Sequence, residues 1–188
     1  MYERIRQQHT STMASLKPPF THETATKKVK AAQGLWNTQY GPHVLFTKPW
    51  TKPSLTTYRD PTRIAAAYTP DSIWRNRTAF FTGTEAIIDF LTKKWKKEHS
   101  YRLRKELFSF TDNRIAVQFW YEYQDAEDGM KWKRCYGLED WTFDGEGKMR
   151  KRMMSGNDVV LGVEGNGEGR WFVDGVDVED VAIGESDW

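Results

Sequence analysis

Glu139 and Trp141 stand two residues apart in a run that alternates like a strand, so both side chains leave the same face. A carboxylate walled by an indole is poorly solvated, which raises its pKa and suits a general acid or base. Alternatively it pairs with a basic side chain of the neighbouring strand, such as Arg152, and the many Arg and Lys of this region favour that pair. Trp74 and Asn76 are also two apart and would set an aromatic wall beside an amide; the plainer alternative makes Trp74 core and bonds Asn76 to backbone. Tyr121, on the apolar face of its own strand, could donate to a ligand oxygen or to another protein group. Glu139 and Asn76 are thus the candidate catalytic residues, with Trp74, Tyr121, Trp141 and Arg152 as candidate pocket lining.

Other chemistries find less support. His9, His22, His43 and His99 are scattered and none pairs with another ligand at metal-site spacing, so no metal is expected. Cys135 has no partner cysteine and no nucleophile motif around it, and reads as a small buried residue. Gly162, Gly165, Gly167 and Gly169 precede neither a helix nor Gly-Lys-Ser/Thr, so no phosphate cradle and no cofactor are expected. The basic run Lys93 to Arg104, interleaved with Trp95 and Tyr101, could touch nucleic acid, but helical spacing makes its lysines the wet face of an amphipathic helix.

The elements that must position these residues are legible in order. Thr21 caps a helix whose stripe is Ala25, Val29, Ala32 and Trp36. Asp60-Pro61 starts a second helix, with Ile64, Ala67 and Tyr68 as its buried edge. Ser72 to Arg77 alternates as a short strand, and Thr82-Gly83-Thr84-Glu85 reads as a capping box for a third helix. That helix turns Ile87, Phe90, Leu91 and Trp95 inward and Lys93, Lys94, Lys96 and Lys97 outward. Four strands follow, centred on Leu103, Phe119, Tyr136 and Arg152 and joined by Asp/Asn/Gly turns. In the second, Ile115, Val117, Phe119, Tyr121 and Tyr123 form the interior face; Gln118, Trp120 and Glu122 point out. The class is α+β, an antiparallel sheet with helices on one face.

The chain of 188 residues suits one domain, and its 9 Trp, 8 Tyr and 10 Phe argue against disorder. One cysteine and no long apolar run point to a cytoplasmic protein that does not enter membranes. The net charge of +2 conceals a basic body and an acidic end: residues 160 to 188 hold Arg170 as their sole base against eight acids. The expected organisation is a flexible arm at 1–19, a domain at 20–158 with a proline-rich loop at 40–58, and an acidic, Gly-rich tail at 159–188 that either adds a short strand or stays loose.

The words Tyr68-Thr69-Pro70-Asp71-Ser72-Ile73-Trp74-Arg75-Asn76-Arg77, Tyr101 to Leu107 and Asn113 to Val117 resemble an uncharacterised SnoaL-like family. It belongs to the nuclear transport factor 2-like (NTF2-like) superfamily. Trp141-Thr142-Phe143-Asp144 and Asn157-Asp158 are similar to its later motifs. The resemblance implies a cone-shaped barrel, its curved antiparallel sheet wrapped around three N-terminal helices, usually dimeric; Trp120, a large aromatic between Gln118 and Glu122 that a monomer would leave in water, points to a homodimer through the outer sheet face. It also implies a small-molecule ligand. Two function classes follow: a cofactor-independent acid/base enzyme on a small apolar oxygen-bearing compound, or a non-catalytic ligand- or protein-binding module. Some epoxide hydrolases of this fold hold a water with an aromatic residue and an asparagine, as Trp74 and Asn76 would. Their Asp-Arg-Asp arrangement has no evident counterpart here. Residues 40–58 and about 160–180 have no counterpart in the family, and are either surface insertions or retained introns in the gene model.

Overall fold

A computed structural model describes residues 16–38 and 60–187. Most of the expected arm and all of the loop at 40–58 lie outside the described residues. Helix α1 (His22–Asn37) begins with a reciprocal cap between Thr21 and Thr24, and α2 (Pro61–Ala65) with Asp60 accepting from the Thr62 amide at 2.9 Å. Strands β1 (Tyr68–Asn76) and β2 (Ala79–Thr82) form a hairpin, followed by α3 (Thr84–Lys97). Four long strands complete the sheet: β3 (Glu98–Phe110), β4 (Arg114–Asp125), β5 (Lys131–Phe143) and β6 (Met149–Val160).

The curved sheet has the order β2-β1-β6-β5-β4-β3. Ala25, Val29, Ala32 and Trp36 of α1, with Ile87 and Leu91 of α3, bury against Ile115, Val117, Phe119, Tyr121 and Tyr123 of β4. Gly137 makes room in this interior: a Cβ there would lie 2.1 Å from Cζ of Phe119.

Several expectations need correction. Among the described residues two helices precede the sheet, and the third follows its first hairpin, so three helices ahead of the sheet are not confirmed. The sheet is mixed, because β1 runs parallel to β6: the chain crosses the whole sheet between them, whereas the other neighbours pair antiparallel. Strand β2 was not anticipated. It holds Thr82 opposite Ile73, and the Gly83 amide donates to Ser72 O at 2.9 Å. Thr82 is therefore no cap; Gly83 caps α3 without a side-chain bond, and the helix starts at Thr84. Lys94 points inward rather than out, with a side chain only 8% exposed.

The largest departure is at the acidic end, which is not a loose tail. After Val160 the chain folds back over the outer face of the sheet, where Phe172 and Val178 bury Trp120. Beneath them Glu122 is fully buried. It accepts from both Nε and Nη2 of Arg134, at 2.9 and 2.6 Å, and from the Trp171 and Phe172 amides at 2.8 and 3.0 Å. Arg134 lies 3.4 Å from the Trp171 ring centroid, and Arg102 and Arg104 donate to carbonyls of Val173, Val176, Val178 and Val181. Trp120 and Glu122 therefore face no open water.

Candidate functional site

The strand register assembles the inner site. Trp141 of β5 and Trp74 of β1 both lie opposite Arg152 of β6, and Glu139 and Asn76 both lie opposite Met154. Period-2 alternation then turns Glu139, Trp141, Arg152, Trp74 and Asn76 toward the helices, where all are buried. Oε1 of Glu139 accepts from Nη2 of Arg152 at 2.5 Å. Its Oε2 accepts from Nζ of Lys105 at 2.9 Å and from Nε1 of Trp141 at 2.6 Å. Nη1 of Arg152 also donates to Oδ1 of Asn76 at 3.2 Å, and its guanidinium lies 4.6 Å from the Trp74 ring centroid. Nε1 of Trp74 is buried with no hydrogen-bond partner among the described residues.

The electrostatics decide between the two readings of Glu139. Burial by itself would raise its pKa, but the Arg152 guanidinium and the Lys105 ammonium outweigh burial and hold it down at about 2. The carboxyl raised by desolvation is not found; the ion pair with Arg152 is. Burial dominates at Lys105 instead, lowering its ammonium to about 8 although Glu139 pulls the other way. The titratable group nearest neutrality here is therefore the lysine.

Asn76 bonds to a guanidinium rather than to the backbone. Tyr121 takes the plainer alternative: its hydroxyl accepts from Nη2 of Arg77 at 3.2 Å, and burial pushes its pKa up. It still borders the interior cavity, together with Glu139, Lys105, Arg152, Asn76 and Lys94. That cavity measures about 10 Å³, room for about one water. Nearby, Lys94 and Glu98 form a second buried ion pair, and burial moves both toward their neutral forms. Cys135 is buried with its thiol pushed up to about 12.

Lys105 and Lys94 were missed as site residues. The signal for Lys105 was its place between Leu103 and Leu107 on an apolar face, and for Lys94 its spacing of three from Leu91 and four from Glu98. No cluster of His, Cys, Asp and Glu able to hold a metal occurs among the described residues. No described helix is long and apolar enough to cross a membrane.

The pattern of one family, described as protein of unknown function (DUF1348), matches residues 52–172, a stretch that contains all six strands. The chain belongs to that family. No curated protein matches it. Among solved structures it is similar to an NTF2-like protein of unknown function from Burkholderia pseudomallei, with 18% identity over 53% of this chain and 79% of the other, at a TM-score of 0.48. A putative SnoaL-like polyketide cyclase from Shewanella denitrificans is 16% identical over 52% and 79%, at 0.46. The epoxide hydrolase/cyclase-like enzyme SalBIII of pyran ring formation in salinomycin is 13% identical over 52% and 81%, at 0.47.

Proposed function

We propose that this member of the DUF1348 family is an NTF2-like, SnoaL-like pocket protein that performs acid/base chemistry, without a cofactor, on a small, largely apolar, oxygen-bearing compound. One observation carries this reading: a buried carboxylate held between two buried cations borders an interior cavity, and one cation, Lys105, titrates within reach of neutral pH. In this reading Glu139 is a permanent anion that orients Lys105 and Arg152. Lys105 exchanges the proton, and Arg152 and Asn76 hold the ligand oxygen. The test is a thermal-shift screen of small epoxides, lactones and enones, with and without a carboxylate, on wild type, Glu139→Gln and Lys105→Met. Compounds that stabilise wild type and lose their effect in both variants are expected; a library without one stabilising compound contradicts the reading.

A second reading, a non-catalytic module, is favoured by the cavity of about 10 Å³, since the protein's own side chains nearly fill the interior. Ligands that bind without turnover would sharpen the account toward it. A homodimer through the outer face and a cytoplasmic location belong to the same proposal. Beside the docked C-terminal segment lies an outer groove of about 840 Å³, where Phe108 and Leu138 are 63% and 50% exposed. Sedimentation should give twice the 22.0 kDa chain mass, falling to the chain mass in Phe108→Asp.

A further inference from the structure

We propose that the ligand enters the interior cavity with a single negative charge, as a carboxylate or an oxyanion of similar size on an apolar body, and that Lys105 recognises that charge. This rests on the reading of the cavity as a ligand site, and because the cavity of about 10 Å³ has room for about one water, the body of the ligand must displace lining side chains as it enters. The argument begins with charge balance. The charged groups bordering the cavity are Lys94, Lys105, Arg152 and Glu139. Lys94 has its own partner, Glu98, which leaves two cations on the single carboxylate of Glu139. All three of these side chains are buried, with Lys105 and Glu139 each 2% exposed and Arg152 4%. An unbalanced charge at that depth is costly, and it is relieved either by proton loss or by a counter-ion.

Among the described residues, the surroundings of Lys105 offer no second anion. From α1 it faces the Trp36 ring and from β4 the Phe119 ring, while Tyr121, which borders the same cavity, has a phenol that burial keeps neutral. From α3 it meets the positive charge of Lys94, from β6 that of Arg152, and from β5 Glu139 and the Trp141 ring. Residues 39 to 59 contain no Asp or Glu, so that stretch carries no carboxylate to offer. Among the described residues the ammonium donates one hydrogen bond, to Glu139, although it has three N–H groups. Rings at 5.0 to 6.0 Å around Nζ supply the apolar wall that the body of the ligand would meet.

The proposal has a pH signature, because losing the proton and binding the anion are competing ways of relieving the same excess charge. Anion affinity should hold below about pH 8, where Lys105 is charged, and fall about tenfold per unit above it. The test uses matched probes, benzoate against benzamide and butyrate against butyramide, with calorimetry and thermal shift on the full chain at pH 6.5, 7.5 and 9. We expect each carboxylate to bind about tenfold or more tightly than its amide at pH 6.5, with the preference shrinking by pH 9. Lys105→Met, which leaves a balanced Glu139–Arg152 pair, should abolish it. Amides that bind as well as carboxylates would overturn the charge inference and leave the pocket reading standing. If no probe binds, both fail. A preference that survives in Lys105→Met, or that ignores pH in wild type, would place the recognition elsewhere and refute the role of Lys105. The wild-type pH profile decides the matter if the variant does not fold.

Discussion

Glu139 and Glu122 sit on adjacent strands of one sheet, on opposite faces, both buried and both bound by an arginine of a neighbouring strand. Their surroundings differ in what the donors do next. Around Glu122 the donors of Arg134 are taken up by protein: it also bonds to Gly169 O and Tyr136 Oη, and two backbone amides complete the carboxylate. Its second cation, Arg170, stands 3.7 Å away with Nε buried and unpartnered among the described residues, but its Nη2 donates to Phe172 O at 2.8 Å and its guanidinium lies 3.4 Å from the Trp132 ring centroid. It lines neither the interior cavity nor the outer groove. Around Glu139 the second cation is fully buried, keeps N–H groups in hand and borders a cavity. A buried glutamate–arginine pair is thus a clamp where protein groups close around the carboxylate, and a candidate site where a second buried cation borders a cavity.

The largest expected effect separates the pairs by what each holds. Arg152→Ala removes one of the two cations that hold Glu139 and leaves a void at the centre of the core, and should cost about 2–5 kcal/mol in urea unfolding. Glu122→Gln should cost about 1–3 kcal/mol and act locally, loosening the segment after Leu161. Limited proteolysis should then cut that segment while leaving the sheet intact; a pattern identical to wild type would show that the clamp does not hold the segment.

The pH dependence has two windows. The pKa of Glu139 is depressed from 4.5 to about 2, so its contribution is complete above the unfolded value and is lost as pH falls from about 4.5 toward 2. Glu139→Gln should flatten the acid limb of the stability curve. The lowered pKa of Lys105 works in the opposite region: between about 8 and 10.5 the folded state binds fewer protons than the unfolded one, so stability should rise with pH there. Lys28, also lowered to about 8 by burial, adds to that rise, and Lys105→Met should remove only part of it. The smallest effect lies away from both pairs: Thr21→Ala removes a cap and should cost about 1 kcal/mol.

The difference between the two faces was only half legible in the sequence. Alternation identified the inner face of β4 and the shared faces of Trp74 with Asn76 and of Glu139 with Trp141, because side-chain period is a local property. The Glu139–Arg152 pair could be foreseen from strand neighbours, but the direction of the pKa shift could not. It depends on Lys105 arriving from two strands away, a matter of register and packing. The outer clamp was invisible for a related reason. A Gly-rich acidic stretch looks mobile until Trp171 and Phe172 find Glu122, about fifty residues back in the chain. Lys94 misled because a lysine in a basic run resembles a wet face, whereas its partner Glu98 lies one turn further on, at the start of the next strand.

The most direct test of the inner site as a ligand site is the titration of lysine side chains by NMR, following the Cε resonances with and without benzoate. Two lysines, Lys28 and Lys105, should titrate near pH 8; the signal missing in Lys105→Met should move to higher pH when benzoate binds, while that of Lys28 stays. A Lys105 signal that titrates at its ordinary value near 10.5, or that ignores the carboxylate, would contradict the account.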